Sequence, residues 1–271
     1  MKQQEQIFVF SDVYNESAAR SQAEVEKTGA FGWAAKAKLW DRPKESEVTL
    51  VASEKRYEPF WNIRASRHVK FEVDTNYTAK ASNPHALHTT ILGQKLDFPP
   101  GLSITLTAKE YCEKRVELSE FFAGFKKNNA SLSLPAYVAK FQHQPSNNEA
   151  EQKLLLPEIT QAFLSQEIKK RLMEPVDAST ILDDALELHE ILLYYRPVYA
   201  FEYAWRDKRG VVEIDALTGN VNKEGSMLVS KARDMMTRET LLDIGAELAN
   251  SLVPGGGVLV KLVGAATKPA D

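Results

Sequence analysis

The chain has 271 residues and a formal net charge of −3, from 37 acidic and 34 basic residues. With 44% hydrophobic and 26% charged residues, its composition excludes a disordered chain, a collagen-like chain and a disulfide-rich mini-protein. The near-neutral charge lacks the strongly basic footprint of a nucleic-acid binder, and at about 150 residues per domain the length fits one large or two small domains.

The first half of the chain alternates between helical and extended patterns. Val69, Phe71 and Val73 alternate with charged residues, which is typical of a strand with one solvent-facing side. In chain order, the patterns predict a strand or an anchoring segment at 7–10, a helix or a mobile segment at 15–28, and a helix at 31–40. Strands are predicted at 48–52, 57–75, 89–92 and 102–107, and a helix at 109–126.

The second half follows a polar stretch at 144–149 that is typical of an exposed loop or linker. Apolar spacing and capping residues predict helices at 158–172 and 177–193, the second with Ile181, Ala185, Leu188 and Leu192 on one side. A hairpin is predicted at 195–224, and a last helix at 230–252 ends at the glycine-rich residues 254–257.

Two similar segments lie 138 residues apart, at 57–64 and 195–202. Both begin with tyrosine, a charged residue and proline, as in Tyr195-Arg196-Pro197, and proline belongs at a strand start. Alternation in the first segment places Trp61 inward and Phe60 on the opposite face. The pair indicates either an internal duplication or a coincidence of strand-start chemistry.

Segment 199–221 resembles the strand pair of small bacterial PepSY-like modules, which end in a similar Asp-x-x-Thr-Gly turn. Here that turn is Asp215-Ala216-Leu217-Thr218-Gly219. The resemblance spans a small part of the chain and implies a hairpin, with no function attached.

Catalytic and metal-binding signatures are incomplete. His85 and His88 have a metal-ligand spacing but lack further ligands nearby, and Cys112 is outside any cysteine-protease signature. The acidic run at 183–190 is typical of a solvated helix face, and Ser226 lacks the second glycine of a nucleophile elbow. We therefore predict no catalytic residue, metal or cofactor.

Compartment signals are equally plain. Cys112 is the single cysteine, so no intramolecular disulfide is possible. The apolar run at 7–10 is shorter than the roughly 7–15 residues of a signal peptide, and no run approaches the ~20 residues of a spanning helix. We expect a soluble cytoplasmic protein without a transmembrane segment.

Together these patterns predict an α+β fold of mostly antiparallel sheets covered by helices. We expect an N-terminal lobe at 1–145 and a C-terminal helix–hairpin–helix lobe at 146–271 with an apolar tail, which are two similar lobes if the repeated segments reflect an internal duplication.

Two functional hypotheses remain open. The first is a non-catalytic protein-interaction or assembly module of a cytoplasmic complex, with a protein partner or self-association through the helix at 231–252 and the tail at 254–266. The second is a small-ligand-binding protein or hydrolase-type enzyme with a pocket between the lobes. His68 and the predicted contact residues named next would line this pocket. The predicted ligand or partner contacts are Tyr57, Trp61, Arg64, Tyr195, Tyr199 and Trp205.

Overall fold

A computed structural model of the chain describes residues 6–31, 42–125, 133–146, 154–159, 161–225, 243 and 259–262. Three strands of its eight-stranded sheet are far longer than the usual five or six residues: β2 (Thr49–Lys80), β5 (Ser103–Ala123) and β7 (Thr180–Trp205). The other strands of this sheet are β1 (Gln6–Phe10), β6 (His143–Pro145), β8 (Lys208–Asp215), β9 (Val221–Asn222) and β10 (Leu259–Leu262). A separate hairpin consists of β3 (His88–Ile91) and β4 (Gln94–Asp97).

Three α-helices accompany the sheet: α1 (Glu16–Glu26), α2 (Leu134–Lys140) and α3 (Gln161–Leu172). Short 3₁₀ turns occur at Lys27–Phe31 and Glu45–Glu47. Most strand pairs are antiparallel, so the predicted mixture of helices with a mostly antiparallel sheet is confirmed. None of the helices in these described ranges is long and apolar enough to cross a membrane.

The two Tyr-charged-Pro segments lie side by side at the centre of the sheet. Strands β2 and β7 pair antiparallel from Thr49 to Glu72, and in this register Tyr57 faces Pro197 while Pro59 faces Tyr195. The two segments therefore cross about an approximate two-fold axis at the Glu58–Arg196 pair. Strands from both predicted lobes thus belong to one sheet, and the division into lobes at residue 145 stays a prediction.

Each proline lies where an outer strand ends, so its missing N–H costs no ladder hydrogen bond. The last residue of β5, Ala123, pairs with Phe60 of β2. Gly124, which follows Ala123, donates its N–H to the Pro59 carbonyl at 2.9 Å. Strand β8 likewise reaches β7 as far as Val198, and Ala216 donates its N–H to the Pro197 carbonyl at 3.0 Å.

An extended segment also pairs in parallel with each long strand at its tyrosine, Tyr57 in β2 and Tyr195 in β7. Val9 of β1 is the register partner of Tyr195, and Leu154 forms an isolated parallel bridge with Tyr57. The Tyr195 hydroxyl donates a 2.9 Å hydrogen bond to the Leu155 carbonyl, which fixes this second segment against the sheet.

Three clusters of buried side chains form the core. One contains Trp61, Ile63 and the α3 residues Leu164, Ile168 and Leu172. A second contains Tyr199, Phe201, Tyr203 and Trp205 of β7 together with Ala19 and Ala23 of α1. The third lies on the opposite face of the sheet and contains Phe60, Tyr194 and α2 residues. The predicted inward position of Trp61 and the opposite placement of Phe60 are therefore confirmed.

Two of the predicted helices are wrong. Residues 109–126 lie largely in β5, and 180–193 lie in β7. In β7 the buried residues Leu186 and Leu188 are followed on the same face by Ile191 and Leu193, because a bulge at His189 inserts one residue into the ladder. The residues whose spacing predicted a helix do not share a face, since Leu188 belongs to the first cluster and Leu192 packs against the third.

Other predictions have mixed outcomes. The helices predicted at 15–28 and 158–172 and the hairpin after residue 195 are present. The helices predicted at 31–40 and 230–252 lie almost entirely outside the described residues. Within the apolar tail, Leu259–Leu262 pairs in parallel with Ala185–Leu188 of β7.

Candidate functional site

The structure places most of the predicted contact residues in the core. Trp61, Tyr195 and Trp205 have no exposed surface, and Tyr199 is 4% exposed. Tyr57 is half-buried, and Arg64 is exposed on the opposite face, where its Nη1 lies 3.2 Å from Glu190 Oε2. The buried aromatic rings contact other parts of the same chain and belong to its hydrophobic core.

A buried network of charged side chains surrounds the centre of the β2–β7 pairing. Arg196 donates from Nη2 to Glu58 Oε2 and from Nη1 to Asp215 Oδ2, each at 2.6 Å. Asp215 also accepts a 2.7 Å hydrogen bond from the Tyr137 hydroxyl of α2, and its other oxygen accepts the Leu217 N–H. The aspartate of the Asp-x-x-Thr-Gly turn therefore joins the turn to the sheet centre.

Arg56 extends this network to Glu54 and Glu213. Its Nε and Nη2 atoms both donate to Glu58 Oε1, at 2.9 and 2.8 Å, and Nη1 donates to Glu54 Oε1 at 2.8 Å. Nη2 also contacts Glu213, whose second oxygen accepts a 2.7 Å hydrogen bond from Asn222. The guanidinium and carboxylate groups of this network are buried and paired with one another, which favours a structural role for the network.

Burial and charge act on Glu58 in opposite directions. Burial by itself raises the pKa of the Glu58 carboxyl, but the charges of Arg196 and Arg56 outweigh it and hold the pKa below its usual value. The same carboxylates raise the pKa of Arg56 and Arg196 despite their burial. All three groups are therefore ionised in the folded protein at neutral pH.

A different feature extends away from this centre. Strand β2 pairs with β7 only up to Glu72, whereas β2 and β5 continue to pair with each other up to Lys80 and Ser103. We call residues 73–110 the arm: a two-stranded ribbon of about 26 Å, at about 3.3 Å per residue, with the β3–β4 hairpin near its tip. None of residues 70–117, all of which the structure describes, is buried.

The arm has one apolar and one polar face. Side chains alternate between the two faces along each strand, and residues paired across the two strands lie on the same face. The apolar face continues the face of Trp61 and carries one charge, Glu110, which contacts the Tyr77 hydroxyl. Its residues are Val73, Thr75, Tyr77, Ala79, Ile104, Leu106, Ala108 and Glu110. The polar face consists of Asp74, Asn76, Thr78, Lys80, Ser103, Thr105, Thr107 and Lys109.

Large apolar side chains of the arm are exposed. Tyr77 is 51%, Leu87 80% and Leu92 101% exposed. Leu92 has φ 49° beside Gly93 at φ 83°, and Leu102 has φ 55°. A leucine in this left-handed region costs roughly 1–2 kcal/mol relative to a glycine, and Leu92 has no buried contact to offset that cost.

A second polar arrangement lies at the β7 bulge. The Ser66 hydroxyl and His189 Nε2 are 2.8 Å apart, on the face of the sheet opposite the α3 cluster. Bulges often reorient a side chain next to an active site. The pair has the geometry of a serine with an adjacent base, and the tautomer of His189 decides which group donates.

The remaining candidates from the sequence are dispersed. His85 lies in the arm loop, His88 begins β3, and Cys112 lies on β5. Asp184 accepts two hydrogen bonds from Arg67, at 2.8 and 2.7 Å, so this part of the acidic run is a buried strand residue. Within the described ranges, no three His, Cys, Asp or Glu residues are grouped so that they could hold a metal ion.

Sequence reasoning missed the arm because 109–126 has apparent helical spacing. Two signals pointed to it: the alternation from Val69 to Val73, and the Leu92-Gly93 step between two β-prone segments. Comparison with known proteins adds nothing to these observations, since no family model, curated protein or solved structure matches the chain.

Proposed function

We propose that this protein is a non-catalytic interaction and assembly module, in a cytoplasmic setting, whose arm contacts a protein partner. The observation that carries the proposal is the ribbon at 73–110, which has one apolar face and no buried residue. An isolated two-stranded ribbon is marginally stable in water, and exposed apolar surface of this kind is typical of a contact site.

The second hairpin supports this assignment. Strand β8 is 8 residues long and returns directly from Trp205 through a short turn, whereas β5 has 21 residues. The β2–β5 hairpin ends beside Pro59 and the β7–β8 hairpin ends beside Pro197 in the same arrangement. The β7–β8 hairpin has this arrangement without an arm, so the arrangement does not require one. The left-handed Leu92 adds a second reason, because an exposed leucine there destabilises the turn without any benefit inside the chain.

We also propose that the two halves are repeats of one unit. The first half runs β1, α1, β2, β5, and the second runs the segment at 154–155, α3, β7, β8. Helix α1 contacts β7 and β8, and α3 contacts β2 and β5, so each helix packs against the long hairpin of the other half. This exchanged packing is what two intertwined copies of one unit produce.

Site-specific photo-crosslinking in living cells tests the proposed contact. A photoreactive amino acid at Leu92 should give covalent adducts of discrete mass, and mass spectrometry identifies the protein in each. The control is the same amino acid at Val25 on α1, which is 74% exposed and outside the arm. Equal adducts at both positions, or none at Leu92, contradict the proposal.

A hydrolase-type enzyme is the second candidate, and the Ser66–His189 contact is the observation that favours it. A serine activated by this histidine should react covalently with a fluorophosphonate probe. Labelling that is lost in Ser66→Ala and kept in Ser119→Ala, a serine on the neighbouring strand β5, would establish this second function. Labelling that is unchanged in Ser66→Ala excludes it.

A further inference from the structure

Strand β5 lies at one end of the sheet, and its outer edge runs the full 21 residues from Ser103 to Ala123. One side of it pairs with β2, and no strand within the described ranges pairs with the other side. A long row of unpaired backbone N–H and C=O groups is a template for another strand. Strand β5 therefore offers an edge to which a strand of another chain can be added.

We propose that β5 pairs antiparallel with β5 of a second copy of this chain, about a two-fold axis at Tyr111. The inference rests on the proposed assembly function and names its partner. Tyr111 is 75% exposed at the middle of the strand. A two-fold axis at this residue places Tyr111 opposite Tyr111 of the second copy, which forms an aromatic cross-strand pair.

This register makes the charges of the two strands complementary. Lys109 lies opposite Glu113 of the second copy, and the two-fold axis repeats that pair, giving two ion pairs on the polar face. On the other face, Leu106 lies opposite Val116 and Ile104 opposite Leu118 of the second copy. Throughout 104–118, no residue lies directly opposite one of like charge.

Neighbouring registers lose this match. A shift by one residue brings the apolar face of one copy to the same side as the polar face of the other. The two nearest registers that keep the faces aligned place Glu110 opposite Glu110, or Lys109 opposite Arg115 of the second copy. Like charges directly opposite are destabilising, so the axis at Tyr111 is selected.

The paired segment, Ile104 to Leu118, is about 50 Å long at about 3.4 Å per residue, and it joins two sheets into one. Antiparallel pairing supplies about one backbone hydrogen bond per residue. The apolar faces of the two arms then lie side by side, with Leu106 and Tyr77 of each copy on the same surface. Pairing with a second copy therefore provides hydrogen-bond partners for the backbone groups on the outer edge of β5, and it also enlarges the apolar face.

Disulfide trapping of the full chain tests the register. In a Cys112→Ser background, Tyr111→Cys brings two cysteines opposite each other at about 4.5–5.5 Å between Cα atoms, within disulfide range. We expect a covalent dimer on mild oxidation. Thr105→Cys in the same background is the control, since it lies about 40 Å from its symmetry mate at about 3.4 Å per residue. Equal trapping at both positions, or trapping at Thr105 alone, overturns the register.

Charge reversal tests the same interface without cysteines. Lys109→Glu should raise the dimer dissociation constant about tenfold or more, and the double variant with Glu113→Lys should restore it. Lys95→Glu near the arm tip should leave it unchanged. Sedimentation velocity measures each variant. A monomeric wild-type chain at about 100 μM overturns self-pairing, while adducts to a different protein at Leu92 would still support the proposed function.

Discussion

Glu58 and Arg196 lie directly opposite each other in the β2–β7 ladder, and Arg196 Nη2 donates a 2.6 Å hydrogen bond to Glu58 Oε2. Each is the middle residue of its Tyr-charged-Pro segment. The two similar segments of the sequence are thus in contact, crossing antiparallel at a buried ion pair. This pair favours the observed register of the two longest strands, because a slip would separate two opposite charges while both stay buried.

The buried pair should contribute far more to stability than an exposed pair in the same two strands. We expect Glu58→Gln to lower the free energy of unfolding by about 3–5 kcal/mol, since it leaves two buried guanidinium groups short of a carboxylate. Arg64 and Glu190 are also directly opposite but exposed, so Arg64→Gln should cost about 0–1 kcal/mol. Urea unfolding measures both, and equal costs would contradict the assigned role of Glu58.

The free energy of unfolding should depend on pH in the acidic range through the carboxyl of Glu58. The folded pKa of Glu58 lies below its ordinary value of 4.5, because Arg196 and Arg56 outweigh the effect of burial. Its contribution to stability is therefore present above about pH 4.5 and is lost as the pH falls from there through the folded pKa. The urea midpoint of the wild type should fall along this branch, and Glu58→Gln should have a shallower one. Parallel acid branches for the two proteins would count against this account.

Shortening the arm should leave the core intact. Replacing residues 76–107 with Asn-Gly joins Thr75 to Ala108, which are register partners, through a two-residue turn that suits a hairpin. Because no residue of the removed segment is buried, the free energy of unfolding should change by no more than about 1 kcal/mol. Circular dichroism and urea unfolding measure the result, and loss of the cooperative transition would show that the arm is part of the core.

The Leu92 turn should become more stable when its leucine is replaced. Leu92→Asn removes a left-handed leucine and introduces the residue that tolerates this conformation, so stability should rise by about 0.5–1 kcal/mol. Leu87→Asn, also exposed but outside the left-handed positions of the chain, should be neutral. Differential scanning calorimetry of the two variants distinguishes them, and an identical response would remove the argument from backbone strain.

Separated halves should associate rather than fold alone. Cutting the chain after Ser146 places β2 and β7 in different fragments, and each then loses the ladder that runs from Thr49 to Glu72. We expect a one-to-one complex on co-expression, detected by affinity purification through a tag on one fragment. Arg196→Glu in the second fragment should abolish it by placing two carboxylates opposite each other. Two independently folded monomers would instead favour separate lobes.

The sequence alone predicted the local features that short-range chemistry controls. It predicted the helix that ends before Pro175, the hairpin of β7 and β8, and the following turn in which Gly219 has φ 74°. It also assigned Trp61 and Phe60 to opposite faces, because alternation along a strand is a property of the backbone. These features depend on residues a few positions apart.

Pairing over long distances was decided by the tertiary structure. Residues 180–193 and 109–126 have an apolar spacing that predicted helices, but both segments are strands because each pairs with the distant strand β2. Similarly, Glu58 and Arg196 are 138 residues apart, and only the antiparallel register brings their charges together. Most of the predicted aromatic contacts are buried because they lie where β2 and β7 pair. The arm is exposed because β2 and β5 continue beyond the end of β7. Both outcomes depend on how the strands of the whole sheet are aligned.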